Sequence, residues 1–201
     1  MVVISYRILK KGLKYIRQDS TILLVLTFAL TGVILSLPYV QLLPIFVDDI
    51  LKVGSTGMGM LMSVSGAGAM AGSLIIASLP NNKRGLMLIA SGFISGLGLI
   101  IFAFSSSWNL SLAFMVFIGL GHSIRGATGG ALLQNYAEPE YLGRVMSIFM
   151  TQIGLSSLCA FIGGILAEVV AVQWVIGGLA MALIVLSVLT IIFIPRLRKL
   201  N

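Results

Sequence analysis

Apolar residues run along this chain in six long blocks, at roughly 21–43, 57–79, 85–105, 109–133, 146–168 and 172–194, separated by short polar gaps. Each block approaches the ~20 residues that a helix needs to cross a hydrocarbon core ~30 Å thick. The pattern predicts an all-α membrane protein: a six-transmembrane-helix bundle over 21–195, an amphipathic cytoplasmic lead-in over 1–20 and a basic cytoplasmic tail over 196–201. Within the lead-in, Tyr6, Leu9, Leu13 and Ile16 recur at helical spacing while Arg7, Lys10, Lys11, Lys14 and Arg17 occupy the other faces. Such a helix suits the membrane surface.

Charge orients the bundle. Beside the lead-in cations stand Lys83 and Arg84 in the second gap, Arg144 in the fourth, and Arg196, Arg198 and Lys199 in the tail; on the other side Lys52 is alone, next to Asp48 and Asp49. The bias of Lys and Arg toward the cytoplasm places both termini inside, as an even number of spans requires. Trp108 and Trp174 fall at the expected outer boundaries, where amphipathic rings are favoured. The expected location is the cell (inner) membrane.

Composition excludes other classes. With 58% hydrophobic and 9% charged residues, a water-soluble domain could not hide so much apolar surface. The net charge of +7 lies against the membrane face, which points to anionic lipid headgroups and not to nucleic acid. The single cysteine, Cys159, falls inside the fifth span, so it supplies neither an intramolecular disulfide nor a Cys-based metal set. No metal and no cofactor is expected. Glycines are frequent in the spans, and Gly68-x-x-x-Gly72 predicts a close helix–helix approach.

Polar side chains inside the spans carry the functional reading, because hydrocarbon penalises them and they turn to a protein interior or a wet cavity. Arg125, near the middle of the fourth span, is the strongest case; facing lipid would cost from ~3 to more than ~10 kcal/mol. His122 stands three residues earlier on the same face, and beside an arginine it is expected neutral. The first span carries Thr27, Thr31, Pro38 and Gln41 on one stripe, and the fifth carries Gln152, Ser156, Cys159 and Gly163. Spans 3 and 6 hold nothing more polar than Ser or Thr. The simplest geometry sets spans 1, 4 and 5 around a polar path, leaves 3 and 6 toward lipid, and does not decide span 2. Arg125, His122, Gln41, Gln152 and Thr31 are the candidate pathway residues, with a purely structural interhelical bond as the competing role for Arg125.

The run YVQLLPIFVDDILKVGSTGMGMLMSVSGAGAMAGSL, Tyr39 to Leu74, resembles the seventh and eighth helices of a major facilitator superfamily transporter of the enterobactin-exporter-like and macrolide-efflux-like branch. RILKKGLKYIRQDSTIL resembles the central cytoplasmic loop of that branch. LLQNYAEPEYLGRVMSI, Leu132 to Ile148, resembles its loop between helices ten and eleven, and GGILAE, Gly163 to Glu168, the end of helix eleven. Lys83, Arg84 and Gly85 match the basic, glycine-containing part of the signature loop, without its acid. Together with Arg144 these cations are the candidate cytoplasmic loop or gate residues. The resemblance implies the C-terminal half of a fold built from two six-helix halves, with alternating access about a midplane site.

The expected function is therefore one half of a secondary active efflux transporter, not an enzyme, exporting siderophore-like or drug-like amphipathic molecules by proton antiport. Arg125 would attract an anionic group. The expected partners are the lipid bilayer, a small-molecule substrate, protons and a second half, which a longer parent sequence, a separate chain or a second copy in a homodimer would supply. A non-transporting scaffold or assembly subunit is the main alternative. An intramembrane protease pairing Ser65 with His122 is a remote one, with no second histidine to orient the first.

Overall fold

The computed structural model describes residues 14–79, 82–198 and 200. Six helices are long and apolar enough to span a membrane: span 1 (Ser20–Leu51), span 2 (Gly54–Ser78), span 3 (Arg84–Ala103), span 4 (Trp108–Tyr136), span 5 (Pro139–Val169) and span 6 (Val172–Phe193). Among the described residues there is no strand. Residues 14–18 are helical, with Lys14 and Arg17 exposed and Ile16 buried, whereas Tyr6, Arg7, Leu9, Lys10, Lys11 and Leu13 of the predicted lead-in lie outside the described residues.

Two spans run further than their apolar blocks. Span 1 begins on an Asp19 cap, whose carboxylate accepts the N–H groups of Thr21 (2.8 Å) and Ile22 (3.2 Å), two of the four donors orphaned at a helix start. It breaks at Leu37, restarts at Pro38 and closes in a π-helical turn over Val47–Leu51 that carries Asp48 and Asp49. Lys52, at φ 53°, ends it. The acids that mark the end of the apolar block thus ride on an extra helical turn beyond the hydrocarbon. Span 5 starts at Pro139, seven residues before its expected start at 146, because proline at the first helical position has no N–H to lose and a preset φ.

Span 4 is the axis of the packing. Spans 2 and 3 lie along it, span 3 also packs on span 6, and the outer half of span 1 packs on span 5. Glycine makes the first of these contacts. A Cβ on Gly68 would run into the backbone carbonyl of Val116, one on Gly72 would lie 2.8 Å from the carbonyl oxygen of Leu120, and one on Gly119 would strike the carbonyl of Ser65. The predicted close approach at Gly68 and Gly72 is therefore between spans 2 and 4. On the next face of span 4, a Cβ on Gly121 would sit 2.8 Å from the backbone nitrogen of Ser95. Ser91 and Ser95 are buried there, each hydroxyl donating to a carbonyl of its own helix. Span 3 is consequently the most enclosed of the six, with Leu86 and Leu97 exposed on its outer face, and spans 2 and 5 are the least enclosed.

Apolar contacts divide into two cores. One joins Ile16, Ile22, Phe28, Leu88, Val145 and Leu197; the other joins Leu42, Phe46, Leu61, Phe102, Met115 and Val175. The first ties both described ends of the chain to the same face of the bundle, and the N–H of Gly85 donates to the carbonyl of Leu200 at 3.1 Å. Trp174 is 65% exposed beside the edge of Phe104, on the opposite face, as a boundary ring should be.

Candidate functional site

Arg125 is 2% exposed, the largest of the fully buried side chains. Its place depends on span 1: a Cβ on Gly32 would stand 3.1 Å from the Arg125 Cδ and 3.4 Å from Nη1, so glycine there leaves the guanidinium room to cross. One turn on, Ser36 is buried, and Arg125 Nη2 donates to its Oγ at 2.7 Å. The same nitrogen lies 3.0 Å from Nδ1 of His122. A guanidinium has no acceptor, so Nδ1 must accept and the imidazole carries its proton on Nε2. Arg125 Nη1 is buried with no protein partner.

This arginine forms one wall of a cavity of about 210 Å³ between spans 1, 4 and 5. Val33, Leu37, His122, Arg125, Gly126, Gln152, Ile153 and Ser156 line it. Four of these eight residues, His122, Arg125, Gln152 and Ser156, have polar side chains, most of the exposed wall is apolar, and no carboxylate contributes. Ser156 donates its own hydroxyl proton to the Ile153 carbonyl at 2.6 Å.

The expected pathway residues separate into two groups. Arg125, His122 and Gln152 meet in this cavity; Thr31 and Gln41 do not line it. At 3.6 residues per turn, Thr27 and Thr31 point roughly half a turn away from Ala29, Gly32 and Ser36, the stripe that faces Arg125. Thr27 and Gln41 are exposed and Thr31 is half-buried. The polar stripe of span 1 leads instead toward span 5, where Gly163 would bring a Cβ within 3.3 Å of Pro38. Cys159, Gly163, Ile34 and Pro38 line a separate apolar cleft of about 90 Å³ there, so the stripe on span 5 divides between two cavities.

Ser36 was not among the residues expected to take part, nor was Tyr39, which lines a third cavity of about 120 Å³ with Ser65 and Met115. The spacing Gly32, Ser36, Tyr39 was the available signal: a glycine followed by two hydroxyl side chains one turn apart. Ser65 packs at the span 2–span 4 seam and His122 does not share its cavity, so the residues a protease would need are not assembled.

The cations expected at the cytoplasmic loops or gate occupy two corners. Arg144 lies 5.0 Å over the ring of Tyr141, which stacks on Tyr15 at 4.2 Å and 8°. The Tyr15 hydroxyl accepts the N–H of Glu138 at 3.1 Å. The lead-in is thereby clasped to the start of span 5. Lys83, at φ 58°, and Arg84 open span 3, next to the tail that packs on Gly85.

A family model described as the Major Facilitator Superfamily matches residues 20–201. The match takes in all six spans and leaves out only the lead-in. No curated protein matches the chain significantly. Members of this superfamily are membrane transporters rather than enzymes. Six spans and an all-helical bundle are consistent with half of its fold, in a multi-pass membrane protein.

Proposed function

We propose, because the chain belongs to the Major Facilitator Superfamily, that its six spans are one half of an efflux transporter for amphipathic small molecules, working by alternating access and proton antiport. One observation carries the reading: a buried arginine is held at the wall of a mainly apolar cavity at mid-span. An inward charge of this kind is costly and is kept where a pathway uses it. The cavity opens between spans 1, 4 and 5, next to the poorly enclosed surface of span 5, where Ile153 and Phe161 are 68% and 67% exposed. That surface is where a second half would complete the path, whether from the same polypeptide, a separate chain or a second copy. The export direction, and siderophore-like or drug-like substrates, are supported by the resemblance of the Tyr39–Leu74 run to the exporter-like branch.

All six acidic residues, Asp19, Asp48, Asp49, Glu138, Glu140 and Glu168, stand at span ends. The proton carrier is then a carboxylate of the second half or His122 itself. The decisive measurement is substrate efflux from cells carrying the complete transporter. Arg125→Ala should reduce efflux at least tenfold while the protein still inserts and accumulates in the membrane. Unchanged efflux would remove Arg125 from the pathway, and absence of any substrate-dependent flux in the wild type would favour a scaffold.

A further inference from the structure

The hydrogen-bond polarity of the Arg125 cavity specifies more than its presence. Arg125 Nη2 is committed to Ser36 and His122, whereas Nη1 has no protein partner. Because His122 accepts through Nδ1, its other nitrogen is a donor, and the imidazole lines the cavity together with the amide of Gln152. The only hydroxyl in the lining, Ser156, has spent its proton on Ile153. No Asp or Glu lines the space, so the guanidinium charge has no counterion there. A buried donor left unmatched is costly, and more so when charged. Val33, Leu37 and Ile153, which are apolar, share the lining with these donors.

We infer that the cavity takes the acid end of an amphipathic organic anion, a carboxylate or its equivalent, held by the positive charge of Arg125 and by His122 Nε2, with the apolar body against Val33, Leu37 and Ile153. A volume of about 210 Å³ holds a head group and one ring-sized portion; the remainder of a larger molecule extends toward the open side of span 5. Charge-assisted bonds of this type are about twice as strong as neutral ones. The inference rests on the transport reading only in naming that anion as the substrate.

The chain has a single histidine, which makes the test free of assignment. The full chain, labelled with 15N-histidine and held in lipid nanodiscs, is titrated with 4-phenylbutyrate, its methyl ester and 4-phenylbutylamine. The carboxylate should move the His122 Nε2 resonance saturably, while the ester and the amine should leave it in place at tenfold higher concentration. Arg125→Lys should weaken the carboxylate at least tenfold; because the charge series is read on the wild type, it stands whether or not that variant folds. Ester or amine shifting the resonance as strongly as the acid, or no saturable shift with the acid, overturns the anion site. Flux of the same three probes in proteoliposomes of the complete transporter is measured separately. Carboxylate binding without any flux leaves the anion site standing and defeats the transport reading, whereas flux of the amine without carboxylate binding defeats the anion site alone.

Discussion

Along span 4 the same kind of residue is put to opposite uses in two regions. Gly119 and Gly121, on opposite flanks, press against the backbones of spans 2 and 3, where an added Cβ would meet main-chain atoms within 3 Å. About two turns beyond Gly119 and on the same flank, Gly126 faces nothing within 4 Å and lines the Arg125 cavity. A glycine in a transmembrane helix is thus no signal of contact by itself. At the seams an added Cβ would meet backbone, and Ser91 and Ser95 bond to their own helix; at the cavity stands a buried arginine with one nitrogen that has no protein partner. The first arrangement joins spans 2, 3 and 4 closely, and the second leaves span 5 with little contact to span 4 and packed mainly on span 1.

The strongest way to break this comparison is to give both regions the same methyl group. Gly68→Ala and Gly119→Ala drive a Cβ into the carbonyls of Val116 and Ser65, which belong to backbone and cannot rotate away. The spans must part, at a cost at or above the top of the ~1–3 kcal/mol range for overpacked cores. Gly126→Ala should stay within about 0.5 kcal/mol of the wild type. Unfolding of the purified protein in mixed micelles separates the two outcomes, and equal losses at Gly119 and Gly126 would abolish the distinction between seam and cavity.

Next in size is the bond that holds the cavity wall. Ser36→Ala removes one of the two acceptors of Arg125 Nη2, at 2.7 Å, and leaves that nitrogen with His122 Nδ1 alone and one N–H unmatched. The expected loss is about 1–2 kcal/mol, toward the lower part of the range for orphaned buried donors, since the adjacent cavity gives water access to Arg125. Ser36→Thr keeps the hydroxyl and should recover most of the loss in the same unfolding assay. A loss as large as that of Gly119→Ala would mean that the arginine is a structural clamp, the competing role for this residue.

Much of this contrast is legible from the sequence, and its limits have a physical cause. Six apolar blocks of near-membrane length announce six spans, since hydrocarbon admits little else. Arg125 and His122 are recognisable because a mid-span charge must turn inward and residues three apart share a face. The Gly68 and Gly72 spacing announces a close approach without saying to which helix. Ser36 escapes notice because periodicity assigns residues to faces but does not say which neighbour each face meets. Thr27, Thr31 and Gln41 form the more polar stripe on span 1, yet Gly32 decides the side from which Arg125 can enter. The buried position of span 3 is hidden for a similar reason: Ser91 and Ser95 satisfy themselves on their own helix, so a packed serine face and a lipid-facing one read alike. Span ends are missed where chemistry and hydropathy disagree, at Pro139 and at Asp48 and Asp49.

The smallest expected effect sharpens the comparison from the seam side. Ser73 and Ser123 place their hydroxyl oxygens 2.6 Å apart between spans 2 and 4, one turn beyond the contacts at Gly72 and Leu120. The distance is shorter than that of the Arg125–Ser36 bond, and it would be natural to credit the pair with holding the seam. Ser73, however, is exposed and its oxygen also lies 3.0 Å from the Ala69 carbonyl, to which it can donate, so Ser73→Ala leaves only one hydroxyl to find another partner. Interhelical hydrogen bonds in membranes average about 0.6 kcal/mol, and the loss should be no larger. A double-mutant cycle with Ser123→Ala isolates the pair term: a coupling near ~0.5 kcal/mol agrees with a seam held by backbone proximity at Gly68, Gly72 and Gly119, whereas a coupling above ~1.5 kcal/mol would transfer that role to the serines.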